Sequence, residues 1–153
     1  MKNLLLLAVF SVSSFAFAQD IPNDKVPTEV MTSFKSKFPT VNNTTWEMEN
    51  DFEYEADFTL NEVKHSALFH KSGKWLETEF EIKTTDLPKP VSSVISREFN
   101  GYKVLETEKI ETAHDGTLYE VTIEKENKSF ELLISSSGKI LKKEKENKSS
   151  EKE

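Results

Sequence analysis

The segment Phe52–Leu60, FEYEADFTL, alternates apolar and polar residues without a break. Successive side chains of a β-strand point to opposite faces of a sheet, so this pattern predicts a strand with one apolar and one acidic side. The apolar side carries Phe52, Tyr54, Ala56, Phe58 and Leu60, and the acidic side carries Glu53, Glu55, Asp57 and Thr59. A second segment of this kind, TLYEVTIEK, occupies residues 117–125. We expect one side of each strand to be covered and the other to meet solvent or a partner.

The N-terminus has the pattern of a secretory signal peptide. Lys2 supplies a positive charge, residues 4–10 are apolar, and Ala16-Phe17-Ala18 forms a small-x-small cleavage site. The apolar run is too short to cross a bilayer. The sequence contains no cysteine, which excludes disulfides and a lipoprotein anchor. We therefore predict removal of residues 1–18, leaving a soluble periplasmic or secreted protein with no membrane anchor.

The remaining chain reads as two copies of one α-β-β-β-β unit, about residues 24–83 and 86–143. Pro27, Val30, Phe34 and Phe38 recur 61 residues later as Pro88, Val91, Ile95 and Phe99. Beyond the next loop the offset is 65, as for Gly73 and Gly138. We place the four extra residues between the second helix and its first hairpin. Repetition of pattern, turns and spacing predicts an internal duplication. The polar residues 144–153 are predicted to form a disordered tail.

These elements predict a two-layer α+β fold, with two helices on one face of an antiparallel sheet of about eight strands. The helices would cover the face that carries Phe52, Tyr54, Phe58, Tyr119 and Ile123. The other face would be open. We expect it to carry Glu53, Glu55, Asp57, Leu68, Leu118 and Leu133, and, if the fourth strands keep the same phase, Trp75 and Ile140.

The apolar residues on the predicted open face have two explanations. An apolar patch ringed by carboxylates is typical of a binding surface, with Trp75 as its anchor. Strand twist, or cover by the N-terminal segment or a second copy, would instead bury them. The first explanation predicts that a protein or peptide partner contacts all eight residues that we place on the open face. A homodimer through the same face is a further option. The net charge of −7 argues against nucleic acid or an anionic membrane as partner.

The sequence contains no recognisable catalytic apparatus. His65 and His70 fall on opposite faces of one strand and His114 lies in a turn, which makes a metal site improbable. No serine lies in a GxSxG motif, and the four glycines form no phosphate loop. We therefore predict a non-catalytic binding protein without a cofactor. Inhibition of an extracytoplasmic hydrolase, a protease or β-lactamase, is the second hypothesis, and weak ion or small-ligand binding at Glu53, Glu55 and Asp57 is the third.

The paired pattern resembles the PepSY-like family, also described as β-lactamase-inhibitor-like, over about residues 24–143. The resemblance rests on Val26-Pro27 with Val30, Phe34 and Phe38, on residues 54–57, 87–99 and 119–121, and on the Ser-Gly-Lys turns at 72–74 and 137–139. It implies a tandem α-β4 arrangement with helices behind a continuous curved sheet and an open concave face. In the β-lactamase inhibitor that concave face and a hairpin loop grip the enzyme. This chain lacks the inhibitor's disulfides.

Overall fold

The computed structural model describes residues 20–145. Helices α1 (Thr28–Lys37) and α2 (Lys89–Glu98) each precede four strands. The strands are β1 (Thr44–Asn50), β2 (Glu53–Leu60), β3 (Val63–His70), β4 (Trp75–Glu81), β5 (Lys103–Thr112), β6 (Thr117–Lys125), β7 (Lys128–Ser135) and β8 (Ile140–Lys145). They form one antiparallel sheet in the order β1 to β8, which confirms the predicted fold. The predicted signal peptide and residues 146–153 lie outside the described residues.

An aromatic cluster holds α1 against the first half of the sheet. Val30 and Phe34 are buried on the predicted stripe of the helix. The ring centroid of Phe34 lies 5.3 Å from that of Trp46 on β1 and 5.2 Å from that of Phe58 on β2. Both ring pairs meet edge to face, a favourable aromatic geometry. The covered side predicted for β2 is therefore confirmed at Phe58.

An aliphatic cluster holds α2 against the second half of the sheet. Val91 and Ile95 of the helix pack with Val121, Ile123 and Ile134 of β6 and β7, and all five are buried. Phe80 of β4 pairs with Lys109 of β5, and Lys109 pairs with Tyr119 of β6, so these three side chains lie on the same face across the two halves of the sheet. Both helices therefore cover the same sheet face.

Each helix packs closely against a glycine turn in the third hairpin of the same repeat. At Gly138, φ is +83° and an added Cβ would lie 2.6 Å from the carbonyl oxygen of Pro90. Gly73, at φ +82°, stands in the same relation to the carbonyl oxygen of Glu29. Only glycine combines this left-handed conformation with so close a backbone approach. The repeated Ser-Gly-Lys turns are thus structural contacts with the helices.

A β-bulge near the start of β4, and another near the start of β8, overturn two predicted orientations. Leu68 pairs with Glu77 but Phe69 pairs with Trp75, so β4 contains one extra residue. Trp75 therefore lies on the helix side, where its Nε1 donates to Thr78 Oγ1 at 2.9 Å and Lys37 Nζ sits 3.6 Å from its ring centroid.

The same shift in β8 turns Ile140 toward the helix-side cluster. The placement of Trp75 and Ile140 on the open face was wrong because a bulge reverses the alternation.

The prediction that Phe52 lies on the face covered by the helices was also wrong, because the strict alternation does not extend to this residue. The first hairpin turns at Asp51-Phe52, and β2 begins only at Glu53. The Phe52 side chain is 52% exposed, with Lys71 Nζ 4.2 Å from its ring centroid. Phe52 belongs to the turn and does not contribute to the core.

The four extra residues of the second repeat lie in the β5–β6 hairpin. Trp46 pairs with Ala56, and the equivalent pair is Thr107 with Val121. The offset between repeats is therefore still 61 in β5 and becomes 65 only in β6. The predicted insertion between α2 and this hairpin was wrong, and β5 and β6 are instead extended at their shared turn.

Candidate functional site on the open sheet face

The sheet face opposite the helices, called the open face from here, is dominated by carboxylates. Trp46, Ala56, Ala67 and Phe69 point to the helices, so their strand neighbours point to the open face. Strict pairing across the sheet then aligns open-face residues in rows. One row runs Asp57, Ser66, Glu79, Ile110, Leu118 and Ser135, and another runs Glu81, Glu108, Glu120, Leu133 and Lys142.

The predicted open-face leucines lie on this face but are buried. Leu68, Leu118 and Leu133 are only 5%, 7% and 3% exposed. Leu118 and Leu133 pack with Ile110, and with Leu141, the extra residue of the β8 bulge. Leu118 and Leu133 therefore belong to a small second core, and because all three leucines are buried they form no exposed apolar patch. The surface available to a partner is therefore the acidic one.

The first acidic cluster consists of Glu47, Glu49, Glu55, Asp57 and Glu77. Glu47 and Glu55 are directly opposite each other on β1 and β2. Carboxylate oxygens of Glu47, Glu49 and Glu55 lie within 4.8 Å of one another. The Ser66 hydroxyl donates a hydrogen bond to Glu55 Oε1. Like charges opposite each other on paired strands destabilise a sheet, so this arrangement lowers stability while all its members are ionised.

The second acidic cluster consists of Glu79, Glu108 and Glu120. Glu108 pairs directly with Glu120, and Glu81 pairs with Glu108 from the other side. Carboxylate oxygens of the three cluster members lie within 4.8 Å of one another. In the rows, Glu79 stands beside Ile110 and Glu120 beside Leu133, both buried apolar residues. These apolar neighbours help to keep water from the carboxylates.

Burial and mutual repulsion raise several carboxyl pKa values on the open face. Burial, followed by repulsion from Glu55 and Glu53, raises the pKa of Glu77 to about 7. Burial, followed by repulsion from Glu55, Glu47 and Asp20, raises the pKa of Asp57 to about 6, opposed by Lys64.

Two members of the second acidic cluster, Glu79 and Glu120, also have raised pKa values. Burial and the contacts with Glu108 raise the pKa of Glu79, and burial and repulsion from Glu131 raise the pKa of Glu120. These carboxyl groups therefore stay partly protonated near neutral pH.

The two clusters are built on equivalent positions of the two repeats. Glu108 lies 61 residues after Glu47, which is the offset that relates β1 to β5. Glu120 lies 65 residues after Glu55, which is the offset that relates β2 to β6. A glutamate pair across the first two strands thus occurs twice. Elsewhere the repeats differ, because the position of Glu49 is occupied by Ile110 in the second repeat.

Few cations balance this charge. The strand residues of the open face between Thr44 and Lys145 include three lysines, Lys64, Lys103 and Lys142, and Lys142 forms an ion pair with Glu144 at 2.7 Å. None of the ion pairs among residues 20–145 includes a member of either acidic cluster.

Sequence reasoning found one part of this site and missed another. It placed Glu53, Glu55 and Asp57 on the open face but did not single out Glu47, Glu49, Glu77, Glu79 or Glu108. A signal was present, since LETE occurs at residues 76–79 and again at 105–108, with glutamates at strand spacing. The convergence of Glu79 with Glu108 was not visible, because it depends on pairing between β4 and β5, which belong to different repeats.

In chemical terms the two clusters can accept cationic groups. Carboxylate oxygens are ligands of hard divalent cations, and the two triads are the residues of 20–145 grouped closely enough to share one. Carboxylates also accept charge-assisted hydrogen bonds from lysine and arginine side chains.

The three histidines lie away from both clusters. His65 is stacked on the helix side, 5.4 Å from the Phe58 ring centroid and 4.7 Å from that of Phe80. His70 Nδ1 contacts Ser72 Oγ at 2.8 Å within a turn. The equivalent turn of the second repeat makes the same contact between Ser135 and Ser137, so this is a turn contact of the fold. His114 Nε2 contacts Lys74 Nζ at 2.8 Å in a neighbouring loop.

A family model described as "Putative beta-lactamase-inhibitor-like, PepSY-like" matches the chain twice, over residues 16–59 and 52–142. A search of curated proteins found no match. Within residues 20–145, neither helix has the length and apolar character that crossing a membrane requires.

Solved structures share the fold. A BLIP-like protein of Bacteroides fragilis superposes with a TM-score of 0.70 at 22% identity, over 87% of this chain and 93% of that one. A protein of Bacteroides eggerthii described as a "putative periplasmic" protein superposes with a TM-score of 0.71 at 18% identity, over 78% of this chain and 88% of that one.

Proposed function

The chain belongs to the PepSY-like family, described as putative beta-lactamase-inhibitor-like, and we propose that it is a non-catalytic exported binding protein that holds a protein or peptide partner on the open face of its sheet. The fold supplies a broad surface for this role, since eight strands lie side by side and both helices pack behind them.

The observation that carries the proposal is the accumulation of like charge on the open face. Glu47 faces Glu55, and Glu108 faces both Glu81 and Glu120. Each such pair costs stability in the free protein when both of its carboxyl groups are ionised. A partner that brings cationic or hydrogen-bonding groups would relieve this cost, so its binding is favoured over the free state.

An extracytoplasmic location supports the same proposal. The signal-peptide pattern predicts export, and the similar protein of Bacteroides eggerthii is described as a putative periplasmic protein. We place this chain in the periplasm or the extracellular medium, in contact with exported proteins.

Capture of a partner with matched charge-reversal variants tests the proposal. The immobilised wild-type protein is expected to retain a partner from extracytoplasmic extract that Glu108→Lys/Glu120→Lys protein loses. The control Glu62→Lys/Glu126→Lys protein carries the same charge change on exposed turn residues and should retain the partner. Hydrogen exchange of the complex should show protection of β1–β6 amides. Protection confined to α1 and α2 would refute binding at the open face.

Inhibition of an extracytoplasmic hydrolase is the second candidate. It is favoured by the family description and by the similarity to a BLIP-like protein. The test is the rate of a panel of β-lactamases and proteases with increasing amounts of the purified protein. Full rates at saturating protein would remove this candidate and leave binding without inhibition.

A further inference from the structure

The sheet ends at β8, whose outer side has no neighbouring strand among residues 20–145. At the opposite edge, the N-terminal segment already lies along β1. Asp20 pairs with Glu47 there, and the Ile21 amide donates to the Trp46 carbonyl oxygen at 2.8 Å. An uncovered edge presents backbone donors and acceptors that can pair with another strand. The outer edge of β8 is therefore a surface that fits one further strand.

A hexapeptide of the β6–β7 hairpin is repeated at the end of β8. The sequence EKENKS begins at Glu124 and again at Glu144. In the first copy Glu126 and Asn127 form the turn, at φ +51° and +60°. Ser129 then pairs with Glu124, and its hydroxyl donates to Glu124 Oε2 at 3.2 Å. Positive φ at both central residues is the geometry of a two-residue hairpin, so EKENKS forms a hairpin turn in this protein.

Both copies of the hexapeptide are entered by a strand in the same orientation. Lys125 lies on the helix side, where its Nζ is 5.5 Å from the Tyr102 ring centroid. Lys145, the equivalent residue, pairs with Phe130, which packs against the α2 cluster on the same side. The tail predicted from composition also starts inside β8, since Glu144 is a strand residue. A hairpin at the second copy would therefore continue the sheet with the same faces.

We propose that residues 146–153 turn back at their first two positions and pair with β8 as an antiparallel ninth strand that covers its outer edge. The register of the first copy, carried over to the second, places Ser149 opposite Glu144. Two residues further along, Glu151 lies opposite Lys142. Opposite charges at directly opposed positions stabilise strand pairing. The ninth strand lies at the edge of the sheet and is independent of what the open face binds.

The hydrogen bonds between β7 and β8 show which amides the ninth strand would meet. The Ser135 amide donates across the β7–β8 turn at 2.9 Å, so every second amide of β7 counted back from Ser135 points to β8. Glu131 is one of these residues and pairs with Glu144, so the Glu144 amide points to β7. The amides of Lys143 and Lys145, on either side of it, point to the outer edge. Carbonyl groups of a ninth strand would accept their hydrogen bonds.

Charge and connectivity disfavour other occupants of this edge. Two β8 strands side by side would bring Lys142, Lys143 and Lys145 of each copy close together, and like charges on paired strands are destabilising. Lysine on an edge strand is a common means of preventing edge-to-edge association. Residues 146–153 follow β8 directly, so their effective concentration at the edge is far higher than that of a second chain.

Hydrogen exchange and nuclear Overhauser contacts, measured by NMR on the exported chain of residues 19–153, test the proposal. The amides of Lys143 and Lys145 should exchange at least about tenfold more slowly than those of an unstructured chain. The protein should also show a short Hα–Hα contact between Glu144 and Ser149, as residues of a non-hydrogen-bonded antiparallel pair do. The Glu144 amide is the internal reference, because its bond to β7 protects it with or without the ninth strand.

Substitutions in the tail should change this protection in both directions. Asn147→Pro fixes a negative φ where the turn requires a positive one, so both lysine amides should exchange at the rate of an unstructured chain. Glu146→Asn/Asn147→Gly supplies the preferred two-residue turn and should slow their exchange several-fold further. Glu151→Lys should speed it several-fold, whereas Glu153→Lys makes the same charge change beyond Lys142 and should stay within about twofold. Circular dichroism checks that each variant is folded.

Three results would overturn the proposal. The first is exchange of the Lys143 and Lys145 amides in the wild-type protein as fast as in an unstructured chain. The second is protection that Asn147→Pro leaves unchanged. The third is protection that rises with protein concentration, together with Hα contacts between two β8 strands, which would assign the edge to a second copy. Each of these results leaves the proposed function intact, because that function rests on the open face.

Discussion

The acidic face leads to a prediction about a single side chain, Glu77. Glu77→Gln keeps the size of the side chain and removes its charge. Burial and repulsion from Glu55 and Glu53 raise the pKa of Glu77 to about 7, from an ordinary value of 4.5. One pKa unit corresponds to about 1.4 kcal/mol, so ionising Glu77 in the folded protein costs about 3 kcal/mol.

The sign of the pH dependence follows from proton binding. Between pH 4.5 and 7 the folded protein holds a proton on Glu77 that the unfolded chain has released. Stability is therefore full below pH 4.5 and is lost as pH rises through about 7. Glu79, Glu120 and Asp57 have raised pKa values and act in the same direction. The wild-type protein should be more stable at pH 5 than at pH 8.

Thermal unfolding by circular dichroism at pH 5 and pH 8 measures this effect. At pH 8 the Glu77→Gln protein should gain about 3 kcal/mol, or roughly 10 °C in Tm for a domain of this size. At pH 5 it should differ little from wild type. The control is Glu62→Gln, an exposed position in the β2–β3 turn. An equal gain at both pH values, or a wild-type protein that becomes more stable from pH 5 to pH 8, would refute the reasoning.

Three further substitutions test the fold by urea unfolding. Phe58→Ala should cost about 3–5 kcal/mol, because Phe58 is 5% exposed and packs on Phe34. Gly138→Ala should cost about 2 kcal/mol or more, since φ is +83° and its Cβ would meet a helix carbonyl. Trp75→Ala should cost about 2 kcal/mol through lost packing on the helix side, and it should leave retention of a partner from extracytoplasmic extract unchanged.

Each of these substitutions has an outcome that contradicts its reasoning. Near wild-type stability of Phe58→Ala would reverse the assigned faces of β2. A neutral Gly138→Ala would mean that the glycine turn does not touch α2 as described. Loss of partner retention with unchanged stability in Trp75→Ala would return this side chain to the open face. Phe52→Ala is the matched aromatic control and should be nearly neutral, because Phe52 is half exposed.

Most of the fold was readable from local pattern. The i, i+4 stripe of Val30 and Phe34 and the alternation within β2 each depend on neighbours in sequence, and both are confirmed. The errors at Phe52, Trp75 and Ile140 share one cause. A turn residue or a bulge changes the phase of a strand, and that change is visible only in the pairing with the next strand.

The candidate site was predictable only in part. The acidic side of β2 followed from alternation, whereas the meeting of Glu79 with Glu108 required β4 of one repeat to pair with β5 of the other. The leucines of the open face were found on the correct side, but the burial of Leu118 and Leu133 depends on packing with Ile110 and Leu141 from other strands. The burial of a side chain depends on its neighbours in the assembled sheet, so it cannot be read from the sequence of a single strand.

The sequence by itself determined the repeat, the two helix stripes and the acidic character of the open side, because these depend on spacing along the chain. The tertiary structure decided which glutamates face one another, which apolar residues are covered and where the bulges turn Trp75 inward. The physical reason is that electrostatic repulsion and burial act through space. They were defined only once the strands were paired in register.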